Sequence, residues 1–522
     1  MKSQPYFQTY DARKPPRFEA LSSKSEALWH ALAGATIGFS IWYLHWRWTV
    51  SLNPDAMVFS CVVAVAETLF FVGTLLFFHD IWREGDTKKG PPPKSRADIG
   101  LLGTDGATTV DVFITTYDED IEVLRPTIEA ANSLVLPENM RVSVWLLDDG
   151  NRPAVSALGP QYGIGYLARK SNVGFKAGNL QNALLQTDGD LVVICDADTR
   201  IFPHFLENTT GYFRDPTVAW VQTPHWFYDI PDGEPWQAWI ERHLPWLKVF
   251  SIPKVFGIFM SRVSGHDRKG VDPFMSEPAL FFDVIQRRRN RNGASFCCGA
   301  GSIHRREALF EAALFNTVSQ LDTARAKLGA VVPVSTSSLE PFKFHVSEDI
   351  YTSILLHSNK SKKWKSVYHP DVECRMLSPW TVDAWAMQKL KYAGGTFDIM
   401  MRGSPLIKTG MPWRTKLHYA ATFWSYLSIV WLPIMLFAPA LSMVTGWAPV
   451  KAYSYDFFAH IIPVLVIGEL ALITSCKGYN INFGRAMMVG SLPIQVRAFF
   501  QVLAAERTVF NRYKRIAPVM DY

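Results

Sequence analysis

An α/β domain built from βαβ units around a mostly parallel sheet, inserted between α-helical transmembrane segments, is the fold class this sequence predicts. Three observations predict it. Apolar stretches long enough to cross a bilayer stand near both ends of the 522-residue chain and are missing from its middle. The middle alternates short apolar runs with helix-like stretches, the sequence form of a parallel sheet covered by helices. Three of those runs end on acidic residues, where open α/β sheets place their ligands. A composition of 48% hydrophobic and 13% aromatic residues is also too apolar for an ordinary soluble enzyme.

In chain order, residues 1–28 hold Arg13, Lys14 and Arg17, lack the apolar core of a signal peptide, and are expected in the cytoplasm. Two transmembrane helices follow within 29–80. Ala56–His79 carries one internal charge, Glu67, and Trp29–Val50 ends in His45, Arg47 and three tryptophans, as an interfacial anchor would. Residues 81–108 form a basic, Pro-rich linker around "TKKGPPPKSRAD" (Thr87–Asp98). The globular pattern occupies 109–400, and an interfacial segment, 401–416, leads into two more transmembrane helices within 417–476, Leu417–Ala440 and Phe457–Cys476. Residues 477–522 read as an interfacial amphipathic helix and a cytoplasmic tail.

Four spans put both ends and the central domain on one side of the membrane. Lys and Arg cluster before the first span, after the second and before the third, so the positive-inside rule makes that side cytoplasmic. The net charge of +6 is then a matter of topology and calls for no nucleic acid. Six cysteines without CxxC or Cys/His spacing imply neither a disulfide framework nor a zinc cage, which fits a reducing cytosol. Glu67 and Glu469 lie about halfway along apolar runs, where an ionisable group faces a protein interior or a wet cavity. Either they join helices or they line a channel.

Within 109–400 the strand-like runs are "TVDVFITTY" (Thr109–Tyr117), "VSVWLLDDG" (Val142–Gly150), "LVVICDADT" (Leu191–Thr199) and "VAWVQTPHW" (Val218–Trp226). Helix-like stretches, Ile121–Leu134 and Gly178–Gln186, separate them. A lone Asp-x-Asp after a strand is ordinarily turn punctuation. Here Asp118, Glu119, Asp148, Asp149, Asp196 and Asp198 all fall at strand ends. That pattern suits a diphosphate ligand held through Mg²⁺ or Mn²⁺, hard cations that take one or two carboxylates and fill their shell with phosphate and water. Lys176, in "SNVGFKAGN" (Ser171–Asn179) just before a helix start, would add positive charge and backbone N–H groups for the same phosphates.

The ordered motifs "TTYDED" (Thr115–Asp120), "DDG" (Asp148–Gly150), "FKAGN" (Phe175–Asn179), "DADT" (Asp196–Thr199), "QTPHWF" (Gln222–Phe227), "FCCGAGSIHRREAL" (Phe296–Leu309), "SED" (Ser347–Asp349) and "QKLKY" (Gln388–Tyr392) resemble those of the processive family-2 glycosyltransferases of the bacterial cellulose synthase and curdlan synthase type. The resemblance implies a Rossmann-like GT-A domain, a UDP-sugar donor, a divalent metal, inversion at the anomeric carbon and extrusion of the glycan through the membrane part. By position, Thr115, Tyr117, Glu119, Asp148 and Asp149 would hold uridine and ribose. Lys176 and Asp196 would meet the diphosphate, and Asp198, beside Asp196, would ligate the metal. Asp349, adjoined by Glu348, matches the catalytic base; the alternative is that Ser347, Glu348 and Asp349 merely cap a helix. Phe296, Cys298 and Gly299 would line the acceptor. Gln388, Lys391 and Tyr392 stand where the family has Gln-x-x-Arg-Trp, against the donor, with Tyr392 also facing the acceptor.

Two departures from the family stand out. Lys391 lacks the planar fork of an arginine, which leaves the linkage open between cellulose-like β-1,4 and curdlan-like β-1,3. "FNRYKR" (Phe510–Arg515) matches poorly the family's UDP-gating loop, Phe-x-Val-Thr-x-Lys. The resemblance thus implies a hexosyltransferase of the bacterial inner membrane that uses UDP-glucose and has the growing glucan chain and membrane lipids as partners. Four spans are few for a pore, so Arg485–Ala505, a second copy of the chain or an accessory subunit would complete it. Two alternatives remain: a synthase of another polysaccharide, such as a GlcNAc polymer or mannan, and a non-catalytic membrane scaffold or transporter, which would turn over no UDP-sugar.

Overall fold

The computed structural model describes residues 5–16, 20–101, 106–264, 268–269, 278–328 and 339–504. The strands are β1 (Thr108–Thr116), β2 (Met140–Asp148), β3 (Gly165–Ala168), β4 (Leu191–Asp196), β5 (Arg200–Ile201), β6 (Val218–Gln222), β7 (Trp226–Phe227), β8 (Glu234–Pro235), β9 (Arg268–Lys269), β10 (Ser302–Arg305), β11 (Lys365–Tyr368) and β12 (Cys374–Met376). Seven of them make one sheet in the order β11-β6-β10-β4-β1-β2-β3. Its pairs are parallel except where β10 runs antiparallel between β4 and β6.

β1 and β4 are buried on both faces, which is why they read as continuous apolar runs. Alternate side chains feed two cores: Val110, Val112 and Ile114 pack on one face with Leu124 and Ile128, and Phe113 packs on the other with Leu180 and Trp220. Register then sets the site. Thr116 pairs with Asp148 and Thr115 with Asp196, so the acid-tipped strands end side by side. A second sheet, β5-β12-β7, flanks that edge.

Four helices are long and apolar enough to cross a membrane: Ser23–Thr49, Pro54–Asp80, Ser428–Thr445 and Ser454–Ser475. The expected third span, Leu417–Ala440, is divided at Leu427 between the helices Trp413–Tyr426 and Ser428–Thr445. The first of these packs along Met57–Asp80, where Trp424 Nε1 donates to Leu69 O at 3.1 Å. Arg485–Ala505, read as one amphipathic helix, falls largely on two helices, Ile481–Gly490 and Leu492–Ala504, bent by 48°, which together are also long enough to span. "FNRYKR" lies outside the described residues.

Both intramembrane glutamates join helices. Arg47 is no interfacial anchor: fully buried, it donates to Glu67 at 2.9 Å, Ser60 O at 3.0 Å and Pro449 O at 2.9 Å. Arg485 grips Glu469 with both terminal nitrogens. A further network, this one buried, joins the membrane part to the sheet domain. Arg289 pairs bidentately with Asp80 at 2.5–3.1 Å, Asp80 also meets His418 Nδ1 at 2.6 Å, and Arg288 donates to Ile81 O and Ser475 O.

Candidate active site

The donor edge is organised by short turns leaving β1, β2 and β4. Glu119 closes the first, accepting from Thr116 Oγ1 at 2.7 Å and Tyr117 N at 2.8 Å, while the Tyr117 ring stays half exposed. Asp148 is buried and its oxygens are taken up by Gly150 N (3.0 Å), Arg152 N (2.6 Å) and the Tyr166 hydroxyl (3.2 Å). Asp149 is held by Arg169 at 2.5 and 2.7 Å. Arg169 also donates to Phe175 O at 2.7 Å, tying the "DDG" turn to the loop that delivers Lys176. That loop turns through Gly174 at φ +78°, where any side chain would run into the Phe344 ring.

Lys176 opens the helix Phe175–Leu184 and ion-pairs with Asp196, whose Oδ1 also accepts from Thr115 Oγ1 at 3.2 Å. Asp198, two residues on, accepts from Leu377 N at 3.1 Å beside β12. The segment 296–299, expected to line the acceptor, faces this pair. Cys298 N donates to Gln222 Oε1 at 2.8 Å, and Gln286 Nε2 donates to Phe296 O at 2.9 Å. The Phe296 ring lies under the Arg289 guanidinium, 5.1 Å from its centroid. Gly299 adopts φ +86°, and a methyl group placed on it would lie 3.6 Å from Lys176 Nζ and 3.9 Å from Asp349 Oδ2.

Glu348 and Asp349 begin the helix Glu348–His357, and the Ser347 side chain makes no capping hydrogen bond there. Of the capping alternative the structure keeps one contact, Asp349 Oδ1 accepting from Ile350 N at 2.8 Å, while Asp349 Oδ2 faces Gly299. Gln388, Lys391 and Tyr392 lie on the helix Val382–Arg402 at i, i+3 and i+4 spacing, which puts them on one face. Tyr392 is half exposed. Lys391 has its pKa lowered by burial, against the opposing charges of Asp118, Glu348 and Glu119.

Electrostatics divide the two strand-end aspartates. Burial raises the Asp196 pKa, but Lys176 outweighs it and holds the carboxyl below the usual range. Asp198 has no such cation, and burial followed by the Asp196 charge pushes it up to about 7. Asp196 still exposes 46% of its side chain, so the desolvation belongs to a cleft and not to a packed core. Among the described residues no three His, Cys, Asp or Glu side chains gather as a protein-only metal cage. Two neighbouring carboxylates, one lacking a counter-charge, do fit a hard cation that completes its shell with phosphate and water. Burial also raises Asp349 and Glu348, and the Asp349 charge adds to the rise of Glu348.

The structure therefore gathers Lys176, Asp196, Gly299, Glu348 and Asp349 in one cleft, with Asp198 beside Asp196. It leaves Asp148 and Asp149 committed to internal partners. Sequence reading passed over Arg152, Arg169 and Gln286 and quoted Gln222 only as the start of "QTPHWF", without a role; these are groups that hold the motifs in place.

Comparison with known proteins agrees with this geometry. The model described as Glycosyl transferase family 2 matches residues 111–311, and Glycosyl transferase family group 2 matches 257–467. Cellulose synthase 1 of Komagataeibacter xylinus is 27% identical over 470 residues, which is 88% of this chain and 25% of that protein. A UDP-forming cellulose synthase catalytic subunit of Pseudomonas fluorescens (strain SBW25) is 26% identical over 449 residues, 84% of this chain and 51% of that protein. The chain thus spans about half of one of these relatives and a quarter of the other. The solved mannosyltransferase PcManGT from Pyrobaculum calidifontis, in complex with GDP-Man and Mn²⁺, is 15% identical, with a TM-score of 0.48 over 92% of this chain and 100% of that one. With its acid-tipped parallel sheet and two overlapping family matches, the chain carries a family-2 glycosyltransferase domain of the GT-A fold.

Proposed function

We propose that the protein is a processive inverting glycosyltransferase that polymerises glucose from UDP-glucose into a β-glucan and extrudes it across a bacterial inner membrane, its catalytic domain on the cytoplasmic face. The observation that carries this reading is the convergence of Lys176 and Asp349 on Gly299. A cation for the diphosphate and a base then lie on either side of a residue without a side chain. The cellulose synthase relatives support the donor and the polymer.

In the proposed reaction the acceptor hydroxyl oxygen attacks the anomeric carbon from the face opposite the diphosphate. The bond from that carbon to the diphosphate oxygen breaks, its electron pair leaves on UDP, and the hydroxyl proton passes to Asp349. A carboxylate whose pKa burial has raised is a better proton acceptor than an exposed one. Lys176 places positive charge beside the leaving diphosphate, and Tyr392 offers a flat face to a sugar. Asp196 and Asp198 would hold Mg²⁺ or Mn²⁺, which neutralises diphosphate charge when bound.

Purified protein in nanodiscs, given UDP-glucose with Mg²⁺ or Mn²⁺, is expected to release UDP and build a polymer that a β-1,4- or a β-1,3-specific glucanase digests. Turnover of UDP-GlcNAc or a mannose donor instead would replace glucose in this reading. No turnover of any nucleotide sugar would overturn it in favour of a scaffold or transporter.

A further inference from the structure

The turn that delivers Asp349 is built around a second, unassigned pair of side chains. His345 is 5% exposed, and its Nδ1 lies 3.0 Å from Ser347 N. A backbone N–H can only donate, so Nδ1 accepts and the ring proton sits on Nε2. Nε2 then donates to Asp398 Oδ2 at 3.0 Å, and Arg402 grips the other Asp398 oxygen. Burial lowers the ring's pKa to about 4, which keeps this single-proton form through neutral pH.

Asp398 belongs to the helix Val382–Arg402, the element that carries Gln388, Lys391 and Tyr392. Gly395, one turn earlier on the same face, touches the same turn: a side chain there would collide with Ser347 Oγ, 2.0 Å from the Cβ position. Two contacts therefore clip the residues before Asp349 to the helix before it folds back to the membrane part. Asp349 lies only two residues beyond Ser347, in the first turn of its helix, so its reach into the cleft follows the orientation of that turn.

Taking Asp349 as the base, we infer that His345 and Asp398 are positioning residues for it: His345 holds the Ser347 N–H, and Asp398 holds His345 in the tautomer that can. Neither touches substrate. Their contribution is geometric, and misplacing a reacting group by an ångström costs on the order of 10²-fold in rate.

The test uses the full-length chain in nanodiscs with UDP-glucose and Mn²⁺, reading kcat, KM, UDP affinity by calorimetry and melting temperature. In His345→Asn the amide oxygen can take the place of Nδ1 and accept from Ser347. In His345→Gln the amide reaches toward Asp398 and loses Ser347. We expect His345→Gln and His345→Ala to lower kcat about 10²-fold with KM and UDP affinity little changed, and His345→Asn to recover most of the loss. Asp398→Ala should fall between wild type and His345→Gln. If His345→Ala fails to fold, the contrast between Gln and Asn decides. Wild-type kcat in His345→Gln, an equal loss in Asn and Gln, or a loss expressed in UDP affinity overturns the inference. Absence of turnover in the wild type overturns the UDP-glucose reading and this inference with it, whereas an active wild type with unaffected variants overturns this inference alone.

Discussion

Asp196 and Asp198 are chemically identical and stand two residues apart, yet their pKa values move in opposite directions: Lys176 holds Asp196 low, while burial and the Asp196 charge raise Asp198. This asymmetry has a measurable consequence. Between about pH 4 and 7 the folded chain keeps a proton on Asp198 that the unfolded chain has lost, so this residue makes metal-free stability fall as pH rises through that window. A divalent cation reverses the penalty by binding the ionised form. The melting-temperature gain from Mn²⁺ should therefore grow from pH 5.5 to pH 8, and Asp198→Asn should abolish the growth; a gain independent of pH would remove Asp198 from the metal site. At the acceptor side, Asp349→Asn should cut polymer synthesis by about 10²–10⁴-fold while UDP still binds, and a variant that polymerises at the wild-type rate would end its assignment as base. Both aspartates were visible in the sequence as acids after an apolar run or before a helix. The support that Arg169 gives the Asp149 turn and that Gln222 gives Cys298 N was not, because each of these side chains acts on another segment of the chain.

The helix Val382–Arg402 combines two tasks, presenting Lys391 and Tyr392 to the cleft and receiving the Ser347 turn on Gly395. Its length and amphipathic pattern follow from local sequence, with Thr381 Oγ1 capping it from Ala384 N at 3.1 Å. What it packs against does not. Gly395→Ala should force Ser347 away and reduce kcat by at least as much as His345→Gln, with UDP binding retained; an unaffected Gly395→Ala would show that the turn can give way. Tyr392→Ala should stop elongation, while Lys391→Arg should keep activity. Loss in Lys391→Arg as severe as in Lys391→Ala would show that the lysine has its own geometry. Strands β3, β10 and β11 escaped sequence reading because four residues are too few to display a period, and β10 pairs antiparallel within an otherwise parallel sheet.

Across the molecule, the membrane and catalytic parts meet on buried ion pairs. Asp80 ends the second span and is shared by Arg289 and His418, while Arg289 also covers Phe296. Asp80→Ala would strand a buried guanidinium at a cost of about 3–5 kcal/mol and is expected to lower the melting temperature more than any single surface charge does; an unchanged melting curve would show that the two parts do not depend on this contact. Glu67→Leu should likewise act through stability, because it unpairs the buried Arg47, and slowed extension in a fully stable Glu67→Leu protein would return that residue to a channel role. The spans, the alternating insert and the acid-tipped strands were determined by the sequence alone, since hydrophobic length and strand patterning are local properties that burial rewards wherever they occur. Only the tertiary structure decided that Arg47 turns inward, that both intramembrane glutamates join helices, and that a histidine and an aspartate 53 residues apart hold the turn before Asp349. Those outcomes depend on which polar groups find partners across long loops, and the cost of leaving a buried charge or N–H unpaired is settled only when distant segments meet.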